Sequence, residues 1–148
     1  MPDSSTPRPP SFVDQFNTNL RSTLGGAIGL RLLSAGGGRA TGELVFSPMV
    51  RQATGLIHAG ALITLGDTIA TAACQSLLSP PEGIDLKRFP LTLQISSNLI
   101  ANVASGKVIA SAEAMHVGRG TIVMETRISS EAGKLLAVVT TTHFVVER

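Results

Sequence analysis

With 148 residues, 43% of them hydrophobic and 15% charged, the chain has the size and balance of one folded domain around a single core, and not those of a disordered segment. Aromatic residues make up only 3%, with no Trp or Tyr, so that core must be aliphatic. A net charge of +2, with no long basic run and no aromatics interleaved for base stacking, argues against nucleic-acid binding.

Residues 1–11 are rich in Pro and Ser and lack the apolar stretch of a secretory signal, so they are expected to form a flexible tail ahead of a domain spanning 12–148. Phe12, Val13, Phe16, Leu20 and Leu24 then recur at helical spacing. Ser11 is placed to cap that helix and Gly25-Gly26 to stop it. Two extended segments, 27–33 and 41–46, flank Gly36-Gly37-Gly38, and the pattern is that of a hairpin.

Residues 59–78 make the longest helical candidate. Pro80-Pro81 forbids its continuation, because proline lacks an amide hydrogen and clashes with the preceding turn. The stretch is long enough to cross a bilayer, but Asp67 near its middle, Gln75, several threonines and the lack of a Lys/Arg belt favour a core helix. The period then changes. Leu91, Leu93 and Ile95 alternate with Thr92, Gln94 and Ser96, and strands follow at 108–117, 121–128 and 135–146. Their joints, Ser105-Gly106-Lys107, Gly118-Arg119-Gly120 and Ala132-Gly133-Lys134, are turn signals suited to antiparallel neighbours, so the four strands read as a meander.

The order is helix, two strands, one long helix, four strands. Strands and helices do not alternate, so the expected class is α+β: an antiparallel sheet of about six strands curled around one dominant apolar helix. The single cysteine, Cys74, has no disulfide partner and no Cys or His neighbour at metal-ligand spacing. It reads as a small core residue of a cytoplasmic protein, and no metal site is expected.

From Gln52 to Pro81 the one formally charged side chain is Asp67. Thr64, Asp67, Thr68, Thr71 and Gln75 stand three or four residues apart and so share a helical stripe, while Leu62, Ile63, Leu65, Ile69 and Ala73 cover much of the rest. A solvated helix face ordinarily carries Lys, Glu and Arg. A threonine stripe with one acid fits a face that meets another polar surface, where a partly desolvated carboxylate becomes reactive. The competing reading is a structural acid bonded to neighbouring hydroxyls.

Gly55, His58 and Gly60 crowd the start of the same helix and leave backbone amides with little side chain around them. The unpaired N–H groups and partial positive charge of a first helical turn suit developing negative charge. Ala59 and Asp67, however, are eight residues apart, about 12 Å along a helix, whereas a reacting carbonyl must approach its attacker to about 3–3.5 Å. Two such helices running antiparallel across a twofold axis would bring the amide end of one to the acid of the other. The expected active unit is therefore a homodimer with two equivalent sites.

The segment Arg51-Gln52-Ala53-Thr54-Gly55-Leu56-Ile57-His58-Ala59-Gly60-Ala61-Leu62-Ile63-Thr64-Leu65-Gly66-Asp67 resembles the signature of hotdog-fold acyl-CoA thioesterases of the phenylacetate-degradation type. The likeness extends in element order from Phe12 to Val146 and includes His116-Val117-Gly118-Arg119. It implies that Asp67 attacks the thioester or activates water, and that the Ala59 N–H of the partner subunit polarises the thioester oxygen. It further implies that Gln52 positions that oxygen and that His58 and Gly60 shape the start of the helix. By the same resemblance Thr71 orients the carboxylate, Thr92 brings a hydroxyl near the attacking water, and Gly118 and Arg119 line the coenzyme A channel. Coenzyme A would be part of the substrate, no separate cofactor would be needed, and two dimers would associate as a tetramer.

One position departs from the family pattern. Two glycines usually follow the histidine, whereas this chain has Ala59 and then Gly60; alanine keeps the N–H but adds a methyl group beside the thioester. A non-catalytic acyl-CoA-binding module, acting as sensor or scaffold, is the alternative from a different class. A hotdog dehydratase would need a histidine-centred hydration site that the sequence does not supply.

Overall fold

The computed structural model describes residues 10–148, so the expected tail lies outside the described residues except for Pro10 and Ser11. Helix α1 (Phe12–Leu20) starts at a full capping box: the Ser11 hydroxyl accepts from the Asp14 amide while the Asp14 carboxylate accepts from Ser11. Gly25 and Gly26 do not stop this helix. It ends at Leu20, and Thr23 caps a further short helix, α2 (Leu24–Ala27), that contains both glycines. Gly26 lies so close under the end of α1 that a Cβ there would overlap the Leu20 carbonyl. The glycine pair is needed for close approach, which explains why a stop signal read from sequence became a tight helical corner.

Strands β1 (Leu30–Gly36) and β2 (Arg39–Val45) form the expected hairpin. Gly37 and Gly38, at φ of 60° and 80°, supply the two left-handed residues that a two-residue turn of matching twist requires. A 3-10 turn (Pro48–Val50), not expected from the sequence, leads into α3 (Ala59–Leu78), whose bounds agree with the expectation. Strands β3 (Arg88–Leu99), β4 (Lys107–Val117), β5 (Thr121–Ser130) and β6 (Leu135–Glu147) follow.

All six strands belong to one antiparallel sheet in the order β1-β2-β4-β5-β6-β3, and α3 packs against every one of them. Leu62, Leu65, Ile69, Ala70 and Ala73 of the helix are buried against Leu32, Leu44, Ala110, Met124 and Val139 of the sheet. The length and hydropathy of α3 would suit a membrane span, but here its apolar faces are spent on the sheet, as in a core helix.

Two expectations about the strands are corrected. Only β4, β5 and β6 form a meander; β3 pairs with β6 instead of β4. The connection through 100–106 crosses the start of α3, where Asn102 both donates to and accepts from the backbone of Ile57, and then lays β4 beside β2. Nor do Leu91, Leu93 and Ile95 share a face. The pairing of β3 with β6 shifts between Thr92 and Gln94, leaving Leu93 as an extra residue. Because side chains alternate with period two, that bulge sends Leu91 to the outer face beside Phe144 and Ile95 to the helix side beside Thr141.

Candidate active site

The ninth residue of α3, Asp67, is half-buried and lines an open cavity of about 450 Å³. Apolar walls come from Phe16 and Leu20 of α1, from Ile84 and Leu86 in the loop after α3, and from Phe89 of β3. At the rim the Arg148 guanidinium lies over the Phe89 ring, 5.7 Å from its centre. Thr68 and Thr71 share the cavity with Asp67, as the helical stripe requires. Gln75 does not behave as part of a free polar face. It is buried, and its amide nitrogen donates to the Ser79 hydroxyl and to the carbonyls of Asp85 and Arg88, tying down the loop that forms one wall.

The Thr92 hydroxyl donates to Asp67 Oδ1 at 2.8 Å. The contact joins the helix to the edge strand, because β3 presents Thr92 inward immediately before its bulge. Behind Thr92 stands His143 of β6, fully buried, with Nδ1 3.3 Å from the Thr92 oxygen and Nε2 2.8 Å from that of Thr141. Burial holds the imidazole below its ordinary pKa of 6.5, with the Asp67 charge and the Pro90 carbonyl pulling the other way. His143 therefore stays neutral at neutral pH.

Neither His143 nor Thr141 was identified from the sequence. The signal was present in the alternation of β6: Ala137, Val139, Thr141 and His143 are the buried, helix-facing positions, and this face turns polar where it passes beneath Asp67.

The other candidate residues occupy three places. At the start of α3, His58 is the N-cap and its Nδ1 accepts from the Gly60 amide at 2.8 Å. This contact fixes the ring and uses the Gly60 N–H internally. Ala59 is the first helical residue, and among the described residues none accepts a hydrogen bond from its N–H. Gln52 lies in the preceding loop with its amide nitrogen turned to the Thr54 hydroxyl at 2.8 Å. Thr71 stands in the cavity with Asp67 but makes no hydrogen bond to it. Gly118 and Arg119 form the β4–β5 turn, where the Gly118 amide donates to the Thr121 carbonyl; neither lines a cavity that contains Asp67.

Within one chain, then, Thr92, Asp67, Thr71 and the apolar cavity come together, while Gln52, His58, Ala59 and Gly60 cluster at the far end of the helix. A carboxylate held by a hydroxyl beside an apolar cavity can remove a proton from water or attack an electrophilic carbonyl.

Comparison with known proteins gives the family of the chain. Residues 54–137 match the family model described as the thioesterase superfamily. A 1,4-dihydroxy-2-naphthoyl-CoA hydrolase of Listeria monocytogenes is 32% identical over 111 residues, covering 75% of this chain and 85% of the relative. Among solved structures, a Gln-to-Ala mutant of a thioesterase from Pseudomonas aeruginosa superposes with a TM-score of 0.82 at 25% identity, covering 98% of each chain. A hypothetical thioesterase protein from Streptococcus pneumoniae, solved with coenzyme A, gives a TM-score of 0.70 at 24% identity, covering 80% of this chain and 87% of that one. The chain belongs to the thioesterase superfamily. Its fold is the hotdog fold of these thioesterases, and its activity is the hydrolysis of thioesters.

Proposed function

We propose that the protein hydrolyses aryl- or fatty-acyl-CoA thioesters, with Asp67 as general base for water or as nucleophile. The observation that carries this reading is the half-buried Asp67 carboxylate, held by Thr92 and open to an apolar cavity of about 450 Å³. Such a volume with hydrophobic walls suits an aromatic ring system or a short acyl chain. The naphthoyl-CoA substrate named for the Listeria relative and the coenzyme A held by the Streptococcus pneumoniae neighbour support the two halves of the substrate.

The oxyanion donor in this reading is the Ala59 N–H of a second subunit. Two observations support a dimer. Ala59 and Asp67 sit at separated positions of one rigid helix, about 12 Å apart. The sheet also ends in the 12-residue strand β3, where Leu93 and Ile95 are 63% and 42% exposed. A long apolar edge of that kind is a template for pairing with another chain.

The test is a thiol-release assay over a panel of acyl-CoA esters with wild-type protein and Asp67→Asn. Asp67→Asn should remain folded and lose turnover on every ester that the wild type hydrolyses. Equal release by both proteins would remove Asp67 from the reaction. Isotope tracing in a single turnover can reveal the nucleophilic route, because solvent oxygen enters the Asp67 carboxylate only when water opens an anhydride at the Asp67 carbonyl.

A further inference from the structure

We infer that His143 is a positioning residue for the reaction, locking the Thr92 hydroxyl as a permanent donor to Asp67 Oδ1. This rests on the role of Asp67 proposed above and adds to it a residue on a different strand that does not touch the carboxylate.

Thr92 has one hydroxyl hydrogen and two candidate acceptors, the Asp67 carboxylate at 2.8 Å and His143 Nδ1 at 3.3 Å. A carboxylate cannot donate, and a charge-assisted bond at the shorter distance is the stronger one, so the hydrogen goes to Asp67. Toward His143 the Thr92 oxygen can then only accept, so Nδ1 carries the imidazole hydrogen, and the Pro90 carbonyl is a further acceptor beside the ring. In a neutral ring the other nitrogen is an acceptor, so Nε2 receives the Thr141 hydroxyl hydrogen at 2.8 Å. Every bond in the series Thr141, His143, Thr92, Asp67 therefore points the same way, toward the carboxylate.

That direction has a chemical consequence. Left alone, a threonine hydroxyl rotates and can accept from water as readily as it donates. With one of its two lone pairs taken by His143 Nδ1–H, the Thr92 hydroxyl keeps its hydrogen on Oδ1 and stops the carboxylate from turning. Among the described residues nothing donates to Asp67 Oδ2, so Oδ2 is the oxygen left to take a proton from water or to attack the carbonyl. The cross-strand pairing of Thr92 with His143 is the feature of the fold that builds the series, and full burial of His143 and Thr141 protects it from competition by water.

Side-chain geometry supplies a test that a merely structural role would not satisfy. An asparagine amide nitrogen can stand where Nδ1 does, whereas a glutamine amide nitrogen reaches the place of Nε2. His143→Asn should keep most of kcat. His143→Gln and His143→Leu should lose about tenfold in kcat, with KM within about twofold of wild type, since the substrate-binding walls are untouched. In a Thr92→Val background the same His143 substitutions should cost nothing further, because the group they act through is gone. If His143→Leu does not fold, the Asn and Gln pair and its cycle with Thr92→Val decide the question.

Asn no better than Gln, or losses that multiply with Thr92→Val, would overturn the inference. Wild-type kcat in the His143 variants together with an inactive Asp67→Asn would sink the positioning role and leave the proposed hydrolysis standing. Full activity in Asp67→Asn would defeat both.

Discussion

Gly66 of α3 and Val139 of β6 meet so closely that a Cβ on Gly66 would lie 2.8 Å from Val139 Cγ2 and 3.1 Å from its Cβ. The missing side chain lets the helix sit down on the sheet one residue before Asp67, which sets the depth at which the carboxylate enters the site. Two effects oppose each other if alanine is placed there. Alanine is favoured over glycine in a helix by up to about 1 kcal/mol, but forcing a methyl group into a packed core costs about 1–3 kcal/mol. Val139 is fully buried and β-branched, and the 3.1 Å approach to its Cβ is one that side-chain rotation cannot relieve. Overpacking should therefore win, and Gly66→Ala should lower stability by about 1 kcal/mol in urea unfolding. Val139→Ala in the same chain should remove both methyl contacts, the closest of them at 2.8 Å, and leave only the 3.1 Å approach to Cβ, so that the double variant is more stable than the sum of the two single changes; strict additivity would show that the methyl contacts are not limiting.

Much of the architecture was legible because its causes are local. Pro80-Pro81 and the residues around His58 bound α3 at Ala59 and Leu78, and Gly36-Gly37-Gly38 dictated the first hairpin. The isolated charge of Asp67 could also be read, since a lone carboxylate in an apolar helix is anomalous wherever the helix packs. What escaped depends on pairing between distant segments. Nothing near 100–106 reveals that this connection crosses to the far side of the sheet, because a short turn signal such as Ser105-Gly106 looks the same at a hairpin and at the end of a crossover. The bulge at Leu93 reverses which side of β3 faces the helix, and period two alone cannot show it. His143 becomes interpretable only once the register of β3 on β6 sets it behind Thr92, 51 positions away.

Cys74 offers an independent check on how dry the helix–sheet interface is. Its thiol is fully buried and is pushed up to about 12 from an ordinary value of 9.0, first by burial and then by the negative charge of Asp67. The unfolded chain loses the thiol proton above pH 9, whereas the folded chain keeps it until about 12. Its contribution is thus whole below pH 9 and is lost as the pH rises from 9 toward about 12, by up to about 1.4 kcal/mol for each pH unit. Urea midpoints measured from pH 8 to 11 should fall more steeply for the wild type than for Cys74→Ala, which lacks the titrating group. Parallel curves would mean that the interface admits water. Ellman's reagent should react with Cys74 only after unfolding, since the thiolate is the nucleophile.

A shared active site makes a demand that no single-chain site can meet. Ala59 is the first residue of α3, where proline is tolerated because the N–H has no partner within the helix. His58 before it already has the extended backbone, at φ −65° and ψ 134°, that a residue preceding proline adopts. Ala59→Pro is therefore a clean deletion of one amide hydrogen from a helix that should still form. If that amide stabilises the oxyanion, kcat should fall by about 10²–10³ with the fold intact. The decisive step is to mix this variant with Asp67→Asn under conditions that allow subunits to exchange. Random pairing makes half of the dimers heterodimers. Each heterodimer then joins the intact Asp67 of one chain to the intact Ala59 amide of the other, in one of its two sites, so the mixture should recover about a quarter of wild-type activity per subunit. Were both groups drawn from the same chain, every site in the mixture would carry one lesion and the mixture would stay silent.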